Sequence, residues 1–431
     1  MKHRRIAIVL LTLATAPALT GAASSAKPTP AAGHEQLLAS AETLYVEGRF
    51  ASADSLYARI LSAAPRDTSA LRGRGGIALL ENRIPDATRW YEALLAQAPD
   101  HRGARRGLAE CFVRSDDYAR AATLLRETGR EPRARQLESF AGRKPCRTDS
   151  RGAEVPFVQT DPLPVIQLSV NGSAPVFFLI DTGAADLVLD DAFADSVNAR
   201  TFGADTGTFA GGKRASFVYG AVDSVSLGGL TVRDVPVQIM STRRFAGAAG
   251  GRRVDGIVGT VLLYHFLATL DYPGHKLVLK PRTDAALREV EQAAAAETAA
   301  VIPFWMAGDH YMVAHGNINS SPPLLWFIDT GLAGAGFTCP EATMKAARID
   351  PSKLPSFDGM GGGGAVKVTP FSVDSLMLGP VLQRSVYAFY GPFPPTLERG
   401  FGFRIAGLLS HGFLRRYRLT MDFDRMRYFL R

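Results

Sequence analysis

Val176-Phe177-Phe178-Leu179-Ile180-Asp181-Thr182-Gly183 decides how this chain is read, because the pattern returns 148 residues later as Leu324-Leu325-Trp326-Phe327-Ile328-Asp329-Thr330-Gly331. Each apolar run reads as a buried strand. Each ends in a carboxylate, a hydroxyl and a glycine. Burying a lone carboxylate is costly, and the usual remedies are a partner or a raised pKa. Two such strands in one chain suggest that each carboxylate is the other's partner. One Asp-Thr-Gly alone carries little weight, since it arises by chance as a turn in about one chain in ten of this length.

The repetition extends beyond the motif. Val222-Asp223-Ser224-Val225-Ser226-Leu227-Gly228 returns as Val373-Asp374-Ser375-Leu376-Met377-Leu378-Gly379, a shift of 151. Gly256-Ile257-Val258-Gly259 pairs with Gly407-Leu408-Leu409-Ser410, and Leu270-Asp271-Tyr272 with Met421-Asp422-Phe423, at the same shift. The copies close on Leu277-Val278-Leu279-Lys280 and Tyr428-Phe429-Leu430-Arg431. This is an internal duplication of a β-rich lobe of about 120 residues, an ordinary domain size.

The stretch from Asp181 to Asp190 resembles the active-site strand of the retropepsins, the retroviral-type aspartic proteases. Ile257-Val258-Gly259 and Leu408-Leu409-Ser410 resemble that family's hydrophobic-hydrophobic-glycine signature, which packs beside the active-site loop. The resemblance spans roughly residues 161–431. It implies an all-β bilobal acid-protease fold of the retropepsin or pepsin-like kind, with Asp181 and Asp329 as catalytic dyad. Two carboxylates a few Å apart cannot both ionise, so they share a proton. One takes a proton from water and the other protonates the substrate carbonyl oxygen. Thr182, Gly183, Ala184, Thr330 and Gly331 are then active-site support. The glycines leave room for close backbone approach. The threonines, by the same resemblance, tie the two loops together across a pseudo-twofold axis.

The second copy departs from the pattern. Leu332 follows its glycine, Gly334 stands where the first copy has Asp186, and Ser410 replaces the signature glycine. Each lobe also carries a glycine-rich stretch, Gly207 to Lys213 in the first and Phe357 to Gly364 in the second. By positional analogy the first is a flap over an extended peptide, with Phe209, Gly211 and Gly212 touching substrate. The alternative is a loose turn between strands.

A different period governs residues 35–140. Ala53, Ala87 and Ala121 lie 34 apart, as do Phe50, Ile84 and Tyr118, and Tyr57, Tyr91 and Leu125. Pro65 and Pro99 share the step. This resembles tetratricopeptide repeats, which stack helix pairs and bind peptides or partner proteins. A helical spacer or cap for the β unit is the alternative.

The expected organisation is therefore an all-α repeat module at 35–140, a polar linker at 141–160, lobe 1 at 161–283, an inter-lobe linker or helix at 284–300, and lobe 2 at 301–431. Residues 1–26 read as a signal peptide, with Lys2, Arg4 and Arg5 before the apolar run Ile6 to Leu13 and a small-residue cleavage region. Nothing later is long and apolar enough to span a bilayer. The expected location is secreted or periplasmic, in a bacterial envelope.

The formal net charge is +8, and +5 once the three leader cations are removed. Charge alone permits nucleic-acid binding, but no recognition motif accompanies it. Cys111, Cys146 and Cys339 make no disulfide framework, though Cys111 with Cys146 could oxidise after export. No cysteine–histidine spacing suggests zinc, so neither metal nor cofactor is expected. His265, His275 and His411 read as structural. The expected activity is aspartic endopeptidase action on a polypeptide, with a protein partner on the repeats. One rival is a catalytically weak or inactive protease-fold binding or scaffold protein whose repeats carry protein–protein interaction. Another pairs the first lobes of two molecules.

Overall fold

The computed structural model describes residues 30–148, 152–208, 214–350, 354–361, 364–391 and 395–431. The leader and the flap tip residues Phe209, Gly211 and Gly212 lie outside the described residues.

The described residues begin with antiparallel helices α1 (Pro30–Val46), α2 (Phe50–Ala63), α3 (Thr68–Leu80), α4 (Ile84–Gln97), α5 (Arg102–Arg114), α6 (Tyr118–Glu127) and α7 (Glu131–Glu138). The 34-residue period is a packing period. Ala53, Ala87 and Ala121 are fully buried where helices cross. A side chain on Gly73 would collide with the Tyr57 ring, and one on Gly107 with Tyr91. Caps repeat too: the Ala70 amide donates to Asp67 (2.7 Å) and the Ala104 amide to His101 Nδ1 (3.0 Å).

Each repeat turns from its first to its second helix through a left-handed residue, Gly48, Asn82 or Asp116. These three turns dock on the β unit. Gly48 lies against Leu325, Asn82 Nδ2 donates to the Phe423 carbonyl (2.8 Å), and Asp116 pairs with His265 Nε2 (3.1 Å). Aromatic contacts reinforce the seam, with Phe50 edge-on to Trp305 and Phe403 at 5.3 Å each. The repeats therefore share one apolar core with Phe327, Phe403 and Leu408 of the second lobe.

Lobe 1 is built on an eight-stranded sheet in which Val176–Ile180 lies between Gly256–Val258 and Val165–Val170. Lobe 2 repeats this with Leu324–Asp329 between Gly407–Ser410 and Tyr311–Ile318. In both, the motif strand pairs in parallel with the signature strand, Ile180 opposite Val258 and Asp329 opposite Ser410. The closing hairpins of the two lobes join edge to edge: Phe266–Asp271 runs antiparallel to Arg418–Asp422, with Thr269 opposite Thr420. Their hydroxyls meet at 2.8 Å, so two residues 151 apart in sequence pair with each other, as a pseudo-twofold axis requires.

Within residues 141–160, which read as a linker, two short strands belong to the β unit. Arg147–Thr148 pairs with Leu230–Ile239, and Ala153–Pro156 forms the edge of the inter-lobe sheet beside Lys276–Pro281. Ala153 and Val155 point inward while Glu154 points out, an alternation too short to outweigh the polar flanks. Residues Asp284–Ala296 form a helix capped by Thr283; it lays Leu287 and Val290 over Leu267 and Phe429, covering both hairpins. All three cysteines are free thiols and buried, so Cys111 and Cys146 are not bridged. His265, His275 and His411 sit in structural bonds to Asp116, Thr160 and Asp161.

Candidate active site

Each motif strand delivers its aspartate to the centre of the molecule. The Asp181 amide donates to the Val258 carbonyl (3.0 Å), and the Thr260 and Val261 amides donate to the Ala184 and Ala185 carbonyls. The first loop is thus clamped by its signature strand. A Cβ on Gly259 would run into those same loop carbonyls, which explains the glycine. In lobe 2 that position is Ser410, whose hydroxyl donates to the Ala335 carbonyl (2.7 Å). The close approach passes to Gly412, where a Cβ would strike Ala335. The signature serine therefore preserves the clamp by hydrogen bonding.

The two loops are locked together by their threonines. The Thr182 amide donates to Thr330 Oγ1 (2.9 Å), and the Thr330 amide to Thr182 Oγ1 (3.1 Å). The hydroxyls in turn donate to carbonyls of the opposite lobe, Thr182 to Ile328 (2.9 Å) and Thr330 to Ile180 (3.4 Å). Both threonines are fully buried, so breaking this lock would leave buried amides without their acceptors.

This lock brings Asp181 and Asp329 face to face. The Gly183 amide donates to Asp181 Oδ1 (2.7 Å) and the Gly331 amide to Asp329 Oδ1 (2.8 Å). Across the axis, a Cβ on Gly183 would lie 2.6 Å from Asp329 Cγ. Burial raises the Asp181 carboxyl, and hydrogen bonds from Asp329 and the Gly183 amide partly offset the rise. Burial, then the charge of Asp181 and their mutual hydrogen bond, push Asp329 well above the ordinary carboxylate range. The two carboxyls are therefore electrostatically linked and titrate as a unit. Ala184 packs with the lobe 1 cluster containing Phe217 and Tyr219. Leu332 faces the repeat module's apolar cluster, which accounts for a large aliphatic side chain there.

Several neighbours were not foreseen. Arg133, on α7, forms a buried ion pair with Asp186 (2.8 Å), five residues beyond Asp181, and Gln238 donates to the same carboxylate (3.1 Å). Arg114, at the end of α5, donates to the Met306 carbonyl (2.8 Å) and to that of Gly308. That turn carries Asp309, hydrogen bonded to His310 Nδ1 (2.6 Å). Burial would raise Asp309, yet the His310 bond and charge, with Arg133 behind, hold it well below the usual range. The charge of His310 also reaches Asp181. Asp186 stands out in the sequence as the acidic residue that the second copy lacks. Its partner, 53 residues upstream in a different module, leaves no local signal.

Residues 166–262 match a family model described as aspartyl protease, and residues 38–101 and 78–138 match two tetratricopeptide repeat models. No curated protein matches the chain. The helices are thus similar to tetratricopeptide repeats, and they are followed by a β unit whose first lobe is similar to aspartyl proteases.

Proposed function

We propose that the protein is an exported aspartic endopeptidase with both catalytic carboxylates in one chain. The observation that carries this reading is the facing pair, Asp181 and Asp329, with each loop's glycine pressed against the opposite carboxylate. Water held between the two is deprotonated by the ionised member and attacks a peptide carbonyl. The protonated member donates to the carbonyl oxygen, giving a tetrahedral diol with no covalent enzyme intermediate. Roles exchange when the leaving amine takes a proton. The amides of Gly183 and Gly331 keep both carboxylates oriented throughout.

The substrate is an extended polypeptide, added as a strand beside the hairpins. The repeats serve this chain first, as a dock for both lobes, and outward helix faces would receive a protein partner. Export rests on the leader composition and is tested by amino-terminal sequencing of the mature protein.

The test is cleavage of a diverse peptide library across pH by wild type, Asp181→Asn and Asp329→Asn. Cleavage abolished in both variants supports a single-chain dyad. Loss in Asp181→Asn alone points to paired first lobes of two molecules. No cleavage by folded wild type moves the reading to a binding protein.

A further inference from the structure

The duplication lets the two sides of the candidate cleft be compared position by position. Five residues beyond each aspartate stand Asp186 in lobe 1 and Gly334 in lobe 2. The facing strand supplies Gln238 to Asp186, and at the 151-residue shift it supplies Phe389 to Gly334, where a Cβ would lie 3.8 Å from the ring. One geometry thus carries a polar pair on one side and an aromatic wall on the other.

The polar side is closed. Asp186 has no exposed surface, because Arg133 and Gln238 cover its carboxylate. Helix α7 is fastened there by Gln136, which donates to the Val237 carbonyl (2.9 Å), and by Arg130, which donates to the Tyr219 hydroxyl (2.8 Å). The aromatic side is open. Gly334 is exposed, and Phe357 and Tyr387 stand edge-on to Phe389 at 5.6 and 5.4 Å. Phe357 is 44% exposed and Tyr387 45%; among the described residues they are the exposed aromatic side chains, and both belong to this one patch. Rings left in water at a single place, rather than scattered, mark a surface that something apolar covers.

We propose that Phe357, Tyr387 and Phe389 form a subsite for an aromatic or large aliphatic side chain of the polypeptide substrate, on the lobe 2 side only, while α7 closes its lobe 1 counterpart. The proposal rests on the endopeptidase reading. The occupant is the substrate because the patch is continuous with the loop that carries Asp329. Specificity is therefore one-sided: a fixed position on one side of the scissile bond demands an apolar side chain, and the matching position on the other side does not.

Two measurements test this. Cleavage sites in a peptide library are mapped for wild type and for the double variant Phe357→Ser/Tyr387→Ser, with circular dichroism to check that the variant folds, since both side chains are a little under half exposed. In parallel, binding of the same peptides to the Asp181→Asn variant is measured with and without those two changes. The expected result is a strong apolar preference at one position in wild type. In the double variant KM for the best peptide rises about tenfold to a hundredfold, with the loss mainly in KM. Equal preference on both sides, or a preference indifferent to the double variant, overturns the subsite. Apolar-selective binding without any wild-type cleavage overturns the endopeptidase reading and leaves the subsite standing. Binding that does not discriminate overturns the subsite.

Discussion

The backbone of Gly331 lies directly against the carboxylate of Asp181. A Cβ built there would sit well inside van der Waals contact with all three carboxyl heavy atoms, closer even than Gly183 comes to Asp329. The second glycine is thus part of the first aspartate's environment. Gly331→Ala should therefore displace Asp181 while leaving strand Leu324–Asp329 in place. A displacement near 1 Å costs about a hundredfold in rate. The expected outcome is kcat/KM reduced at least about a hundredfold, with near-native circular dichroism.

The dyad sets a pH dependence with a definite sign. Both carboxyls are raised, so between the unfolded and folded pKa values the native state binds more protons. Stability then falls as pH rises through that window, and the penalty is fully present above the folded values. Asp329→Asn removes the repulsion. Its Tm should exceed wild type at pH 7, by about 1 °C for each kcal/mol recovered in a chain of this length, and the gap should close near pH 3. Activity should be bell-shaped in pH, with its alkaline limb above the ordinary carboxylate value of about 4. A single-limbed profile counts against a shared proton.

Thr182 and Thr330 couple the lobes through buried bonds in both directions. Thr182→Val leaves the Thr330 amide without its acceptor, at about 1–3 kcal/mol. Thr182→Ser keeps the hydroxyl and should cost less. A double-mutant cycle with Thr330→Val, read by urea unfolding, should give a coupling of about 0.5–3 kcal/mol.

Arg133 and Asp186 are both buried, so breaking their pair leaves a charge without a partner. Arg133→Met should cost about 3–5 kcal/mol, and Arg133→Met with Asp186→Leu should recover most of it. Hydrogen exchange should show the Arg133→Met loss in both α7 and the strand Arg214–Leu227 beneath it, because Gln136 also bonds the Gly220 carbonyl. Exchange faster in α7 alone would contradict a shared core.

The thiols should behave as three buried, unbridged groups. Burial pushes the Cys111 thiol up to about 12, so it is protonated at neutral pH. A thiol reagent should label none in the native protein and three after denaturation, and reductant should leave Tm unchanged.

Both Asp-Thr-Gly strands, the duplication and the 34-residue helical step were legible because they are local patterns of side-chain type. Period 2 and period 3.6 follow from strand and helix geometry, and a repeated motif needs no knowledge of what it touches. Ala153-Glu154-Val155-Pro156 reads as linker because four residues carry too little alternation to mark a strand. Leu332 and Ser410 read as departures, and only their surroundings explain them: an apolar seam for one and the Ala335 carbonyl for the other.

The pair of carboxylates, the glycine beside each, and the order of helical and β modules can all be read along the chain. Folding is what docks the repeats on the β unit by one turn from each repeat, and what covers Asp186 with Arg133 while Gly334, beside Phe389, stays exposed. The physical reason is that ion pairing and burial depend on distance in space. Arg133 and Asp186 lie in separate modules, and nothing in either segment's composition records the other.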